Sequence, residues 1–412
     1  MYRADFANSG AVPGPSAVRS PALHPLWSYR ADSRMTSSPT IVNNLVYVGT
    51  WNGDVLALDT RTGALRWKRS LGANQDTYYG GRRGVIGSVA VDRGVAYAVS
   101  GSCTAAAYAA DNGRELWRRR ICSTEKNDDT YASPVVFWNE LLLGIDQIGD
   151  RPTSRGFEVA LDTRTGRELW RFYPQRYQGT GAGISATPAI DGNLGLAFIG
   201  TGNPTPLGNP PPGADEFSES ICALDLRDGH LIWAYGPVHP HDREDNDLFA
   251  SANIFTATID GARRHLVGEG GKDDVYYAVD ERTGALVWKR TLIPRSKFAM
   301  IIGTAAVGAG TIFVPVFQNE HLGWMVALRS SDGAELWSKR MTGVYEAPVL
   351  LGDVLFVTEA GGWIDALDAR NGKSLGQWPI ERPVLGRGPS MAGDTLYLAS
   401  GNTLRAFALS HS

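Results

Sequence analysis

The sequence predicts an all-β fold, an eight-bladed β-propeller of four-stranded blades, from a repeated phrase and from the two ends of the chain. The phrase recurs along the 412 residues as an apolar run, Ala-Leu-Asp or a variant, a turn with Gly, and a short segment ending in Trp. Its clearest copies are VLALDTRTGALRWK, EVALDTRTGRELWR, CALDLRDGHLIWA and YAVDERTGALVWKR. Two shorter alternating runs precede each copy, as in SSPTIVNNLVYVGT, so one unit holds four strands, called A to D.

The tryptophans of the repeat follow one another at about 40 to 60 residues, a spacing that suits a four-stranded blade. Large aromatic side chains at equivalent repeat positions usually fill space between packed units, so we expect these to pack between neighbouring blades. They are Trp67, Trp117, Trp170, Trp233, Trp288, Trp337 and Trp378.

The last unit, GPSMAGDTLYLAS followed by NTLRAFALS, stops at its third strand. The missing fourth strand is present in HPLWSYR near the N-terminus, where Trp27 supplies the eighth blade tryptophan. An open propeller would expose an unpaired strand edge, which favours closure by this pairing. We therefore predict a single domain over residues 1–412, in which residues 1–22 form an extension and about 23–30 complete blade eight.

Blade two contains two of the three cysteines. If Asn112 and Gly113 form a two-residue hairpin turn, Cys103 faces Cys122 across strands C and D. Facing cysteines can bridge where the strands are close, so a disulfide and two reduced thiols both remain open. Cys222, in strand C of blade four, is expected to be a small buried residue.

Charge and termini limit the partners. The formal net charge is -3 and no run of lysines and arginines stands out, so we expect no nucleic-acid partner. The N-terminus has neither the basic start nor the apolar core of an export signal, and no stretch is long enough to span a bilayer. The printed sequence predicts a soluble, cytoplasmic protein, or an extracytoplasmic one if a signal preceded the printed start.

The Trp-bearing repeat, with the opening YRADFANSGAVPGPS and the following LW, resembles the quinoprotein alcohol dehydrogenase superfamily. The resemblance covers essentially the whole chain and is closest to the polyvinyl alcohol dehydrogenases. It implies an eight-bladed propeller that holds pyrroloquinoline quinone (PQQ) on its axis beside a calcium or other metal ion.

The resemblance also implies site residues. GTGNP is similar to the segment that carries the family's metal-binding Asn, which assigns that role to Asn203. HPHDREDNDLFAS is similar to the family's acidic loop, which implies that Asp247 is the catalytic, metal-associated aspartate. Asp245 is its neighbour and the alternative residue for that role. In GGKDD, Lys272 falls where the family places a cation on the quinone oxygens.

These residue types suit that chemistry. A divalent ion prefers oxygen ligands, and as a Lewis acid it polarises a carbonyl. A carboxylate beside a substrate hydroxyl can take its proton, while a fixed cation stabilises charge that develops on a cofactor.

Two positions depart from the family's cofactor-stacking pattern. Ser185 or Ile184 stands where many relatives have a Trp floor, and Thr77 and Tyr78 stand where they have paired cysteines. An aromatic floor then requires Tyr78 or Tyr79, so Tyr78 and Ser185 are the predicted cofactor contacts.

Arginines complete the predicted cofactor set. Arg83, next to Arg82, falls near the family's Arg that meets a cofactor carboxylate. Arg387 and Glu346 precede predicted innermost strands and should point into the central channel. Arg387 is accordingly assigned to the cofactor, and its alternative role is a charge pair with Glu346.

Other positions leave alternatives open. The family's Glu ligand from blade three is not evident, and Asp146 or Asp150 could replace it. His239 and His241 suggest a zinc or iron site or, alternatively, an exposed loop. No Cys-x-x-Cys-His haem motif occurs, so a dehydrogenase would need a separate electron acceptor.

The site residues also have simpler explanations. Asn203 could be a turn residue, the acidic loop a solvated charge cluster, and Lys272 an exposed hairpin residue.

The sequence thus favours PQQ-dependent oxidation of an alcohol, a small-molecule substrate, in a pocket on the propeller axis. The alternatives are a cofactor-independent propeller enzyme, of the cyclisation or dehydration type, and a non-catalytic scaffold.

Overall fold

The residues that the structure describes form eight blades, each with four antiparallel strands, which confirms the predicted all-β propeller. The computed structural model describes residues 5–14, 21–76, 81–147, 155–177, 181–204, 216–237, 245–293, 298–380, 386 and 388–411. Within these ranges the one helix is the 3-10 turn Thr124–Lys126, and no helix could cross a membrane.

Strands A to D follow chain order in blades one to seven. Blade one consists of Thr40–Val42, Leu45–Gly49, Asp54–Asp59 and Leu65–Ser70, and blade two of Ala90–Asp92, Val95–Ser100, Thr104–Ala109 and Glu115–Arg120. Blade three consists of Val135–Phe137, Glu140–Gln147, Phe157–Asp162 and Glu168–Phe172, and blade four of Ala189–Asp191, Leu196–Gly200, Ile221–Asp225 and Leu231–Tyr235. Blade five consists of Asn253–Ile259, Ala262–Gly270, Val275–Asp280 and Leu286–Thr291, and blade six of Ala306–Gly308, Thr311–Asn319, Leu322–Arg329 and Glu335–Met341. Blade seven consists of Val349–Leu351, Val354–Glu359, Trp363–Asp368 and Ser374–Pro379.

Blade eight has strands A to C at Ser390–Ala392, Thr395–Ser400 and Thr403–His411, and its strand D is Pro21–Arg30. A short hairpin, Asn74–Asp76 with Gly81–Arg83, precedes blade two, and Asp128–Asp129 pairs with the end of strand B in blade three. Strands A of neighbouring blades contact one another and therefore form the innermost ring around the axis.

The repeated phrase has a packing explanation. In blade one, the Asp59 carboxylate accepts hydrogen bonds from the backbone N–H groups of Arg61 and Thr62 and so holds the turn before strand D. The turn glycine has a positive φ, +69° in Gly113, and the Trp67 ring of the preceding blade lies over it. The indole N–H of Trp67 donates to the carbonyl of Ala110 in the same turn, at 2.8 Å.

Seven tryptophans each hold the turn of the next blade in this way, which agrees with the predicted role. The donor and acceptor pairs are Trp27 with Thr60, Trp67 with Ala110, Trp117 with Thr163, Trp170 with Leu226, Trp233 with Glu281, Trp288 with Ser330, and Trp337 with Ala369.

The ring closes as predicted. Pro21–Arg30 pairs antiparallel with Thr403–His411, so the outermost strand of blade eight comes from the N-terminal part of the chain. Trp27 in this strand reaches blade one, where it donates to Thr60 O at 2.8 Å. Strands C and D of blade eight come from opposite ends of the sequence, so no C–D turn joins them. Trp378 of blade seven therefore lacks the kind of turn that the other blade tryptophans contact.

The segment before this strand lies along the central channel, a placement that the sequence did not reveal. Ala11–Val12 pairs in parallel with strand A of blade seven. Backbone carbonyls of the segment accept bonds from strands A of four blades, in the pairs Phe6 with Ile190, Ala7 with Ile254, Ser9 with Val307 and Gly10 with Leu350.

Asn8 anchors this segment. Its side-chain amide is buried and donates to the carbonyls of Thr187, Pro188 and Ala252. The N-terminal segment therefore occupies the channel alongside blades four to seven.

Cys103 and Cys122 form a disulfide, with their Cα atoms 4.9 Å apart. The predicted two-residue turn at residues 112–113 is wrong, because residues 110–113 form a four-residue turn in which Gly113 N–H donates to Ala109 O. A bulge between Ala107 and Tyr108 shifts the register of strands C and D, so that Cys103 lies opposite Ile121, whose N–H donates to Cys103 O. The disulfide therefore joins Cys103 to Cys122, the residue after the one that lies opposite it. Cys222 is buried in strand C of blade four, as expected.

Candidate functional site

A pocket of about 560 Å³ lies on the axis, because every blade contributes a residue to its wall. In each blade this residue stands four positions before the first residue of strand A. We call this ring the collar; it consists of Thr36, Ile86, Tyr131, Ser185, Phe249, Ile302, Tyr345 and Gly386.

The charged centre of the pocket belongs to blade five. Lys272 follows strand B by two residues, and its ammonium nitrogen lies 2.8 Å from Asp245 Oδ1 and 2.5 Å from Asp247 Oδ2. The backbone N–H of Lys272 also donates to Asp247 O, at 3.0 Å. Both the main chain and the side chains therefore join the B–C turn to the segment before strand A.

Asn203, from the B–C connection of blade four, completes this cluster. Its backbone N–H donates to Asp247 Oδ1 at 2.6 Å, and its side-chain amide donates to Asp245 Oδ1 at 2.9 Å. Asn203 Oδ1 accepts from the backbone N–H of Asn246 at 3.1 Å. The structure thus brings together all four residues that the sequence assigned to the metal and to catalysis, while their roles remain predictions.

Electrostatics keeps Lys272 and Asp245 charged. Burial opposes the charge of Lys272, but Asp247 and Asp245 outweigh it and hold the pKa of the ammonium group above its ordinary value. Burial likewise opposes ionisation of Asp245, yet the Lys272 charge and its hydrogen bond hold the pKa of that carboxyl below its usual range. At neutral pH the Lys272 cation therefore lies beside an ionised Asp245.

The opposite wall presents two arginines. Arg83 is buried beside Asp129, with 3.5 Å between Nε and Oδ2, and its guanidinium carbon lies 4.5 Å from the centroid of the Tyr131 ring. Arg34 lies 4.9 Å from the Trp51 ring centroid in the same pocket. Arg82 is exposed instead, so Arg83 lines the pocket together with Arg34, which the sequence did not single out. The contact of Arg83 with a cofactor carboxylate remains a prediction.

Two collar aromatics, Tyr131 and Phe249, flank Ser185 in the wall of the pocket. The ring centroids of Tyr131 and Phe249 are 6.0 Å apart, and the collar residue between their blades is the small Ser185. The Ser185 hydroxyl donates to Asp146 Oδ2, and Lys272 Nζ lies 5.5 Å from the Phe249 centroid. An aromatic surface flanked by cations therefore exists at the position where Ser185 had suggested a gap.

Glu346 does not line the pocket, contrary to the prediction. Neighbouring residues of an extended segment point to opposite sides, so Tyr345 and Ala347 face the pocket while Glu346 is buried within the fold. Its carboxylate accepts from the Thr358 hydroxyl at 2.5 Å, and burial raises its pKa to about 7. Ile184 is also buried and packs between blades three and four.

Several predicted residues lie outside the part of the chain that the structure describes, and their roles remain predictions. They are Thr77, Tyr78, Tyr79, Asp150, His239, His241 and Arg387.

The repeat itself could have revealed the residues that the sequence reasoning missed. Tyr131 and Phe249 stand at the same repeat position as Ser185, four residues before strand A. Arg34 and Asp247 likewise share the position six residues before strand A. Aligning the blades on strand A, rather than on the tryptophan, would have identified this wall.

The donor chemistry of the pocket fits the cofactor pair that the superfamily implies. Asp245, Asp247 and Asn203 Oδ1 provide hard oxygen donors of the type that calcium prefers. Arg34 and Arg83 provide cations of the type that binds carboxylates such as those of PQQ, Lys272 provides a third cation beside the aspartates, and the pocket has the size of a small-molecule site.

Fold and site define a class, an eight-bladed propeller with a charged axial pocket, and the comparisons define the family. The model described as outer membrane protein assembly factor BamB, a PQQ-repeat model, matches residues 22–124 and 271–411, more than half of the chain. The PQQ model described as glucose/ethanol/alcohol dehydrogenase, beta-propeller domain, matches residues 118–305. The chain belongs to the PQQ-repeat family of β-propellers.

Individual relatives agree with the predicted superfamily. The chain is 24% identical to a polyvinylalcohol dehydrogenase of Pseudomonas sp., over 94% of this chain and 70% of the relative. It is 24% identical to a quinohemoprotein alcohol dehydrogenase of Comamonas testosteroni, over 69% of this chain and only 46% of that protein.

A solved europium-containing methanol dehydrogenase superposes with a TM-score of 0.85 at 18% identity, covering 99% of this chain and 97% of that one. At this identity the likeness shows the fold alone.

Proposed function

We propose that this protein oxidises an alcohol in the axial pocket as a PQQ-dependent dehydrogenase that passes electrons to a separate acceptor. The observation that carries the proposal is the cluster in which Lys272 lies between Asp245 and Asp247, with Asn203 bound to both aspartates. Its relatives named as alcohol dehydrogenases support the reaction class.

Each residue of the cluster has a defined task. Asp247, one oxygen of which is fixed by Asn203 N–H, would accept the proton of the substrate hydroxyl. Lys272 would hold that carboxylate in place and stabilise negative charge that develops beside it. Asn203 Oδ1 and the two aspartates would hold calcium, which would polarise an adjacent oxygen.

The remaining walls would orient the cofactor. PQQ, when bound, supplies the two-electron acceptor for the hydride that leaves the alcohol carbon. Tyr131 and Phe249, whose rings meet edge to face, would provide aromatic contacts for it, while Arg83 and Arg34 would hold its carboxylates.

A second candidate is a cofactor-independent enzyme that uses the same pocket. The hydrogen bond between Ser185 and Asp146 favours it, because a polar pair stands where many relatives stack the quinone. Lys272 and Asp247 would then act as acid and base on a small molecule, in a cyclisation or dehydration. A non-catalytic scaffold is the third candidate, and the larger share of the chain matched by the BamB-described model favours it.

Calorimetric titration of the purified protein with PQQ, with and without calcium, tests the proposal. Calcium-dependent binding that is lost in Asp247→Ala and in Lys272→Ala is the expected result. Lys289→Ala is the matched control, because Lys289 is exposed on strand D of the same blade. No binding with any divalent ion would overturn the proposal and leave the other two candidates. Binding that survives both pocket variants would overturn the assigned roles.

A further inference from the structure

A second pocket, of about 380 Å³, lies off the axis between blades two and three. Its wall comes from the end of strand D in blade two, from the segment that follows, and from strands C and D of blade three. No residue of this wall belongs to the axial pocket, so the proposed function does not account for it.

The charge of this second pocket is strongly unbalanced. Among the described residues, four cations line it, Arg120, Lys126, Arg155 and Arg171, against one carboxylate, Asp128. Asp128 is buried, which raises the pKa of its carboxyl, and it already accepts a bond from Ser123 N–H at 2.8 Å. Glu168 pairs with Arg171 from outside the wall, so the pocket itself retains an excess of positive charge.

Aromatic rings fix two of the cations. The Arg155 guanidinium lies 3.5 Å from the Tyr173 ring centroid, and that of Arg171 lies 4.0 Å from the Phe157 centroid. The Phe157 and Tyr173 rings are themselves 5.4 Å apart. A guanidinium held against a ring keeps its planar donor fork in one orientation and loses little freedom when a ligand binds.

These arginines retain unused donors. The Nε atoms of Arg155 and Arg171 are buried and have no hydrogen-bond partner among the described residues. Buried donors are nearly always paired in folded proteins, so unpaired ones beside a cavity point to a ligand that supplies acceptors.

The disulfide anchors the other side of the pocket. Cys122 is bridged to Cys103, and its backbone carbonyl accepts from Arg120 Nε at 3.3 Å. The carbonyl of the preceding Ile121 accepts from Arg171 Nη2, also at 3.3 Å. The bridge therefore fixes the backbone to which two of the cations are bound.

We propose that the pocket between blades two and three binds a small multivalent oxyanion, with carboxylate or phosphate groups held by Arg120, Arg155 and Arg171. Fixed guanidinium groups match the planar, two-oxygen geometry of these anions. The excess positive charge favours a ligand with two or more negative charges.

Titration calorimetry of the whole protein with citrate and, separately, with inorganic phosphate tests this site. One ion bound per chain is expected, with affinity at least about tenfold weaker in Arg155→Met, because a charge-assisted hydrogen bond is lost. Methionine keeps the apolar packing on Tyr173. Arg114→Met is the matched control, since Arg114 lies in an exposed turn of blade two outside the pocket.

If citrate binds and phosphate does not, carboxylate is the recognised group. If phosphate binds and citrate does not, phosphate is the recognised group. Reduction of the disulfide in the folded protein should weaken binding of the same ion. Absence of binding by both ions, or equal affinity in Arg155→Met and Arg114→Met, would overturn the proposal. Because these variants leave the axial pocket intact, PQQ titration on them separates this result from that of the proposed function.

Discussion

The ammonium nitrogen of Lys272 lies 2.5 Å from Asp247 Oδ2, and this contact joins the two segments of blade five that reach the axial pocket. Asp245 shares the same ammonium group, at 2.8 Å. A single cation therefore offsets the repulsion between two neighbouring carboxylates.

Replacing Lys272 should destabilise the protein and create a need for a divalent cation. Lys272→Met leaves the partly buried Asp247 and its neighbour without a counterion, which should cost about 2 to 4 kcal/mol in the free energy of unfolding. Urea unfolding with and without calcium measures this loss, and calcium should restore more stability in Lys272→Met than in the wild type. Equal losses in Lys272→Met and in the exposed Lys289→Met would contradict the prediction.

Glu346 should make stability depend on pH between about 4.5 and 7. Burial raises its pKa to about 7 in the folded protein, so the folded state binds a proton that the unfolded state has released. The contribution of Glu346 to stability is highest at pH values below its pKa in the unfolded chain. This contribution is lost as the pH rises through its pKa in the folded protein.

Glu346→Gln removes this titration and should recover about 2 to 3 kcal/mol of the stability lost between pH 5 and pH 8. Thermal or urea unfolding at the two pH values gives the difference, and the exposed Glu320→Gln serves as the control. A pH profile of Glu346→Gln that matches the wild type would exclude this role for Glu346.

The contact between each tryptophan and the next turn predicts a difference between two glycines of blade two. Both Gly113 and Gly94 have a positive φ, +69° and +78°, so alanine should cost about 1 kcal/mol at either position. A Cβ on Gly113 would also lie 2.7 Å from Trp67, whereas a Cβ on Gly94 would meet nothing within 4 Å. Gly113→Ala should therefore cost about 1 to 3 kcal/mol more in unfolding free energy than Gly94→Ala. Similar losses of unfolding free energy in Gly113→Ala and Gly94→Ala would contradict the prediction, because the Trp67 ring would then move aside without a loss of stability.

Asn8 should hold the N-terminal segment in the channel through its side chain. Asn8→Gly keeps the positive φ of +53° but removes the three donated bonds, which should cost about 1 to 3 kcal/mol. Asn43 has a nearly equal φ, +54°, in an exposed turn, so Asn43→Gly should change stability by less than about 0.5 kcal/mol. Urea unfolding of both variants measures the difference, and equal effects would show that only the backbone of Asn8 matters.

The sequence predicted those parts of the fold that the repeat encodes. Seven of the blade tryptophans pack on the turn Gly of the next blade, so the pattern GALRW alone indicates both the strand and its packing. Closure followed from the same logic, because HPLWSYR carries the strand that the last unit lacks.

The remaining features depend on contacts that no short pattern encodes. Phe6 and Ala7 meet the inner strands through backbone carbonyls, which any residue offers, so nothing in the opening sequence marks a channel segment. The register of blade two depends on one bulge between Ala107 and Tyr108. The aromatic surface of Tyr131 and Phe249 arises only when three blades converge on the axis.

The N-terminal segment has a consequence for protein synthesis. Residues 5–12 and the strand Pro21–Arg30 are synthesised before all of their partners, which extend from blade four to the strand Thr403–His411. The strand Pro21–Arg30 therefore stays unpaired until residues 403–411 have been synthesised, and a chain that lacks those residues leaves this strand edge exposed. Ring closure is thus the last blade pairing that can form as the propeller is synthesised, and it joins residues almost 400 positions apart in the chain.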